Sequence, residues 1–439
     1  MLTILRDRTY RHLFLAQVVA LLGTGLATVA LALLAYELAP DRAGLVLGAV
    51  FAIKMVAYVG VAPIAGAFAD RMPRRAMLVA LDLVRAAAAL ALPFVDALWQ
   101  VYVLVLVLQA ASAGFTPTFQ ATIPDVLPDE RRYTRALSLS RLAYDLEAVA
   151  SPALAAVLLT LVSQSSLFLG TAAGFLASAA LVMSVLLPSA EPSPPRGLRE
   201  RMTGGLRIYL ATPRLRGLLA LNLAAASAGA MVLVNTVVLV RSTLGLGETQ
   251  VAVALGAFGA GSMLAALALP RLLERRADRP VMLGGAALLV AALAASAGLA
   301  GVATPGFGAL LGTWAVVGAG YSTVLTPSGR LLARSARPRD RPAVYAAQFA
   351  LSHACWLLTY PLSGWLMTAL GAAGAFAALA ALALVGLAAA RAMWSRLADG
   401  PLDHHHPDLP PDHPHLAGGR RHSHPIVIDD LHPGWPRPA

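Results

Sequence analysis

Stretches of about twenty apolar residues, each long enough as a helix to cross the roughly 30 Å of hydrocarbon in a bilayer, recur along this chain from Leu13 to Trp394. Inside hydrocarbon the backbone has no water to bond, so a segment of this kind closes its own hydrogen bonds as a helix. Twelve runs stand out, at about 12-36, 44-69, 76-95, 98-121, 136-162, 166-187, 215-240, 249-272, 280-300, 305-329, 342-369 and 371-395. The first is too long, and too polar at Gln17, Thr24 and Thr28, for a cleaved leader, and is expected to remain. With 58% apolar and 13% charged residues, the chain lies outside the range of soluble globular domains. It reads as an all-α integral membrane protein with the lipid bilayer as a partner.

Arginines fix the expected orientation. With the N-terminus inside, segments on that side hold 29 of the 34 basic residues; the opposite loops hold Arg42 and Arg241, and Lys54, Arg85 and Arg141 lie within helices. This is the positive-inside pattern, and it places both termini in the cytoplasm. Topology and attraction to anionic headgroups account for the formal charge of +11, so no nucleic-acid partner is expected. One cysteine, Cys355, cannot form a disulfide framework or a thiolate metal centre within one chain. The sequence has no nucleotide-binding loop or catalytic constellation, so neither an enzyme nor a resident cofactor is expected.

The longest segment between runs, about 188-213, divides the helices six and six. A shift of 205 residues lays Arg11-His-Leu-Phe-Leu-Ala-Gln17 on Arg216-Gly-Leu-Leu-Ala-Leu-Asn222 and Met77-Leu78 on Met282-Leu283, the trace of a duplicated unit. The expected organisation is a six-helix bundle over 1-187, a cytoplasmic linker over 188-213, a second bundle over 214-396 and a tail over 397-439. Between the second and third helices stands Gly66-Ala-Phe-Ala-Asp70-Arg71-Met-Pro-Arg74-Arg75. A small residue there lets helices approach, while an acid and several guanidinium groups hold one closed arrangement and separate in the other.

This loop resembles the signature of the major facilitator superfamily, with Pro73 where a glycine is usual. The resemblance implies twelve transmembrane helices in two pseudo-symmetric six-helix bundles, with Gly66, Asp70 and Arg71 in a gate supported by Arg74 and Arg75. A monomer is expected. The corresponding loop of the second half, from Pro270 to Arg279, keeps the charges but not the spacing. On the fifth helix, Ala148 to Ala156 looks like the small-residue-plus-proline motif of exporters in this superfamily, and close packing around Pro152 explains it as well.

Polar residues in a membrane are costly and usually face a cavity, so their helical spacing is informative. Stripes run through Gln109 on the fourth helix, Tyr144 and Glu147 on the fifth, Trp314 and Tyr321 on the tenth, and Tyr345 and Gln348 on the eleventh. Glu147 and Asp145 lie about 200° apart round one helix. Asp145, four residues from Arg141, is therefore expected to form a neutralised pair, and Glu147 to carry a proton or cation. Asp82, three residues from Arg85, is expected to form a structural pair, with a carrier role as the alternative. Lys54 is the only lysine and lies well inside the second helix, where it would repel cations or reach out to the surface. His353, near the middle of the eleventh helix, is read equally as a packed histidine or as a carrier.

From Ala398 the apolar pattern stops, and eight of the ten histidines follow: His404, His405, His406, His413, His415, His422, His424 and His432. Such a composition is expected to lack a core and fixed structure. Two-residue spacing in an extended chain brings two imidazoles to one ion, with Asp408 and Asp412 as nearby oxygen donors; imidazole suits nickel, copper, cobalt and zinc. A pH-sensitive or merely solubilising tail is the plainer reading. The tail, together with Leu5 to Phe14, the signature loop and Ile123 to Asp129, resembles the bacterial nickel-resistance exporters of the superfamily. That resemblance implies a bacterial inner-membrane exporter of divalent cations, nickel and then cobalt. Proton antiport is the expected mechanism, for which the polar stripes offer Glu147, His353 and Asp82 as carriers along a pathway with Gln109, Tyr144, Tyr321 and Gln348. The alternatives are proton-driven efflux of an organic cation, with Trp314, Tyr321 and Tyr360 as its aromatic lining, and a metal-storing protein that does not transport.

Overall fold

The computed structural model describes residues 2–39, 43–68, 72–188, 197–302, 306–395, 400–406, 409–410, 413–416, 421–432 and 434–435. The first half consists of α1 (Arg8–Leu38), α2 (Ala43–Phe68), α3 (Arg74–Ala91), α4 (Leu98–Val126), α5 (Glu130–Leu159) and α6 (Ser166–Met183). After α7 (Leu198–Ala211) the second half holds α8 (Pro213–Val237), α9 (Glu248–Arg275), α10 (Asp278–Val302), α11 (Phe307–Leu325), the short α12 (Ser328–Ser335) and α13 (Arg341–Met393). At Gly371, φ is +67°, a left-handed backbone that glycine adopts without a Cβ penalty, so α13 is two helices, 341–370 and 372–393. Ten of these elements are long and apolar enough to cross a membrane, the bent α5 adds another, and the break in α13 makes twelve among the described residues.

Small residues set the tightest crossings. Gly318 of α11 and Gly261 of α9 sit where a Cβ would run into the carbonyls of Phe258 and Ala315 of the facing helix. In the first half, the Arg85 guanidinium lies between the rings of Phe115 and Phe175, 4.0 and 4.4 Å from their centroids, and pairs with Asp82, which is wholly buried. Asp82 is thus packed in an ion pair in the core of the half, the arrangement its spacing favoured.

The segments between and after the apolar runs carry structure of their own. Part of the linker is a helix: α7 packs on α13 and α2, with Gly205 against the Ala343 backbone, and the Tyr209 hydroxyl donates to Gln348 Oε1. Gln348, read as a pathway residue, is therefore committed to the linker helix. The tail, expected to lack structure, forms an antiparallel hairpin of β1 (Pro401–His405) and β2 (Arg421–Pro425). Docking on the second half supplies the burial that composition alone denies it. Ile426 and Ile428 are buried, Asp429 pairs with Arg337, Asp430 lies 3.2 Å from Arg339, and Arg214 donates to the Ile426 carbonyl at 3.4 Å.

Candidate functional site

α12 and the start of α13 supply one side of a clamp between the halves. Arg74, at the start of α3, pairs with Asp125 at the end of α4, and Arg341, at the start of α13, holds the other oxygen of the same carboxylate. Glu130, opening α5, takes Arg330 and Arg334 of α12, and both arginines reach Asp278, at 3.2 and 2.8 Å. Arg135 meets Glu274 at 3.5 Å. Between these groups the hydroxyls of Tyr133 and Tyr345 lie 2.7 Å apart, and Tyr345 donates to the Gly329 carbonyl. Gly66 is buried where a Cβ would come within 2.8 Å of Ala346, which brings α2 onto α13. Arg75 is exposed, and Asp70 and Arg71 lie outside the described residues.

The described segments nearest both ends of the chain reach the clamped end. Asp7, capping α1, is 3.0 Å from Arg132, and Asp429 of the tail pairs with Arg337. Further into the bundle the halves meet once more. The Arg141–Asp145 pair of α5 is not confined to its own helix: Ser262 of α9 donates to Asp145 at 2.6 Å and accepts from Arg141 at 3.1 Å, and the guanidinium lies 4.9 Å from the Tyr321 ring. Tyr321 is thereby part of a crossing between halves. Beyond Asp145 on α5, no hydrogen bond or ion pair joins the two halves among the described residues.

At this depth one acid and two bases gather. Lys54 lies 5.6 Å from the Tyr58 ring, within electrostatic range of Glu147 and His353. The His353 ring stands edge-on to Tyr58 at 4.7 Å, and its Nδ1 donates to the Phe349 carbonyl at 2.7 Å, which leaves Nε2 as the atom able to take a proton or an ion. Glu147 is half-buried beside Ser151, both against Gly25, where a Cβ would meet the two side chains. Tyr144 bonds Gln17, and Gln109 is buried on α4. Trp314, counted among the aromatics of an organic-cation cavity, is fully buried and donates from Nε1 to Thr236 at 2.9 Å.

The tail builds the densest cluster. Alternate residues of a strand share a face, so His404 and His406 from β1 and its continuation lie beside His422 and His424 of β2, with His404 directly opposite His422. His415, from the turn at 414–416, and His432 close over them. The Nε2 atoms of His415 and His406 are 3.0 Å apart, His415 and His422 3.2 Å, His415 and His424 3.3 Å, and His404 and His432 3.1 Å. Desolvation and then the neighbouring imidazoles hold His415 down to about 4, so its ring stays neutral. Burial opposes ionisation of Asp429, yet the His432 backbone N–H and Arg337 keep its carboxyl below the usual range. Six of the eight histidines meet. His405 points to the other, exposed face of β1, and His413 Nδ1 instead accepts from the His415 backbone. Asp408 and Asp412 lie outside the described residues.

The sequence profile of the Major Facilitator Superfamily matches residues 13–236 and, a second time, 218–428. The chain belongs to that superfamily. A Bacillus subtilis (strain 168) protein, the uncharacterised MFS-type transporter YfiS, is 29% identical over 120 residues, 27% of this chain and 28% of that relative. Three solved structures share the fold, each covering 88% of this chain. The human organic anion transporter MFSD10 matches over 99% of its length at 15% identity with a TM-score of 0.73. A bacterial homologue of the iron transporter ferroportin, in an outward-facing state, matches over 99% at 14% and 0.73, and the E. coli fucose:proton symporter FucP over 98% at 15% and 0.68. This superfamily member is thus a multi-pass membrane transporter.

Of the clamp, Arg74 was expected at the gate, whereas Asp125, Glu130, Arg330, Arg334 and Arg341 were not singled out in the sequence. Asp125 and Glu130 stand in Ile123-Pro-Asp-Val-Leu-Pro-Asp-Glu130, and Arg330, Arg334 and Arg341 look like ordinary positive-inside arginines. Acids interrupting an otherwise basic loop were the available signal.

Proposed function

We propose that this transporter exports divalent transition-metal cations, nickel first and cobalt second, in exchange for protons, and thereby confers metal resistance. In this reading it works as a monomer in a bacterial inner membrane with both termini cytoplasmic. The observation that carries the proposal is the convergence of six imidazoles at the end of the bundle where the halves are clamped. Tethering a metal-binding group there raises the ion's concentration at the inner mouth without requiring a tight site in the pore. A clamp closed at that end, with no cross-half bond beyond Asp145 among the described residues, suits the outward-facing stage of alternating access. Glu147 and His353, with Lys54 beside them, supply exchangeable protons near mid-membrane. Carrying a 2+ ion outward against an inside-negative potential costs about 4.6 kcal/mol per 100 mV, so two incoming protons are needed for electrical balance.

The organic-cation alternative loses Trp314 to the core of the second half and Tyr321 to Arg141. The test is uptake of Ni²⁺, Co²⁺ and Zn²⁺ into everted vesicles with and without a proton gradient, repeated with Glu147→Gln and His353→Ala. Gradient-driven Ni²⁺ uptake that both variants weaken is expected. Uptake indifferent to the gradient would contradict antiport, and no metal uptake at all would contradict the cargo.

A further inference from the structure

Six points around an octahedron make twelve adjacent pairs and three opposite ones. For the rings of His404, His406, His415, His422, His424 and His432, the twelve adjacent pairs have centroids 4.6–5.4 Å apart. His404 and His415 stand opposite at 6.2 Å. His406 with His424 and His422 with His432 complete the opposite pairs. An imidazole whose Nε2 is about 2.1 Å from an ion has its centroid about 3.2 Å away, which gives roughly 4.6 Å for adjacent rings and 6.4 Å for opposite ones. The same bond length sets adjacent nitrogens about 3.0 Å apart, against the 3.0–3.3 Å found here.

We infer that these six histidines form one octahedral, all-imidazole site for a single six-coordinate transition-metal ion, and that Asp429 positions it. Ligand atoms approach closely in two sets of four, His404/His406/His415/His422 and His404/His415/His424/His432, and both contain the opposite pair His404/His415. A tetrahedron has no opposite vertices, so neither set closes round zinc in its preferred four-coordinate geometry. Ni²⁺ and Co²⁺ accept six nitrogen donors, while Mg²⁺ and Ca²⁺ need oxygen, which the six ligands lack. Asp429 works from behind: its Oδ1 lies 3.1 Å from His432 Nδ1, which leaves Nε2 as the ligand atom, and its other oxygen pairs with Arg337. As the source of exported ions the site depends on the reading above; as a binding site it stands by itself.

The test uses the full-length purified protein titrated with Co²⁺, Ni²⁺ and Zn²⁺. One Co²⁺ per chain with the weak visible bands of six-coordination is expected, and Ni²⁺ should compete at least about tenfold better than Zn²⁺. Intense four-coordinate bands, two ions per chain, or preference for Zn²⁺ would overturn the assignment. His404→Ala and His415→Ala should each weaken Ni²⁺ binding at least about tenfold, while His405→Ala, on the exposed face of β1, leaves it unchanged; an equal loss in His405→Ala would also overturn it. Asp429→Asn should weaken binding by about 10- to 100-fold with the six-coordinate spectrum retained, and unchanged affinity would remove its positioning role. A six-coordinate site in a protein that moves no Ni²⁺ in vesicles would sink the export reading and leave this one intact.

Discussion

Asp125 and Arg330 occupy equivalent places in the two halves, 205 residues apart, with opposite charge. Asp125 binds Arg74, which opens the third helix of its own half, and Arg341, which opens the fifth helix of the other. Arg330 binds Asp278, which opens the third helix of its own half, and Glu130, which opens the fifth helix of the other. A duplicated unit with identical charges would repel itself across the pseudo-twofold axis; exchanging acid for base lets each copy complete the other. The second-half loop that lost the signature spacing keeps this role through Asp278.

Asp125→Asn should therefore loosen the inner clamp on both sides. Removing one partner of a mostly buried ion pair costs about 3 kcal/mol, enough to move a two-state equilibrium more than a hundredfold. Spin-label distances between the end of α4 and the start of α13 should lengthen in the variant, and the exposed Arg75→Ala should leave them unchanged. An unaltered distance distribution in Asp125→Asn would show that this carboxylate does not hold the halves together.

The α9–α11 crossing offers a test of packing alone. Gly318→Ala forces a methyl into the Phe258 carbonyl, whereas Gly312→Ala, about one and two-thirds turns away on the same helix, meets nothing within 4 Å. Overpacking of this kind costs about 1–3 kcal/mol. Thermal unfolding in detergent should show a lowered midpoint for Gly318→Ala and little change for Gly312→Ala.

Much of this architecture was legible in the sequence because hydrophobic run length is a one-dimensional signal. The runs located each span, including the break near residue 370, where Gly371 turns. Two-residue histidine spacing foretold the shared face of His422 and His424, since strand period does not depend on tertiary context, but not the separation of His413 from His415, which lie on a turn. The hairpin pairing that brings His404 opposite His422, and the arrival of His415 and His432, depend on long-range docking through Asp429 and Ile428, which no local pattern encodes. Gln348 and Tyr321 lay on polar stripes, but periodicity names a face and not the neighbour waiting there.

Because the tail is docked, deleting 398-439 is a harsher change than disabling its histidines. Ile428 belongs to the core cluster of the second half, and burying an isoleucine contributes about 1.5–3 kcal/mol. The deletion should lower the unfolding midpoint as well as Ni²⁺ binding. The double variant His404→Ala/His415→Ala should abolish binding with the metal-free midpoint nearly unchanged. Equal destabilisation by both would mean that the imidazoles themselves hold the tail in place.

Lys54 sets the last expectation. At roughly 6 Å and an effective dielectric near 20, a divalent ion and an ammonium group repel by about 5 kcal/mol, comparable to the electrical cost of moving the ion across 100 mV. If this protein is a cation/proton antiporter, that repulsion opposes the attraction of Glu147 for the ion and is relieved when Lys54 gives up its proton or swings away. Under the antiport reading, Lys54→Gln should raise the apparent affinity for Ni²⁺ at fixed pH and flatten its dependence on pH, because one competing proton is gone. Glu147→Gln should act oppositely on affinity, since it removes the negative charge that attracts the ion. Ni²⁺ uptake into everted vesicles, measured across a series of external pH values for both variants, checks the pair; a pH profile for Lys54→Gln superimposable on that of the native protein would show that the lysine takes no part in coupling.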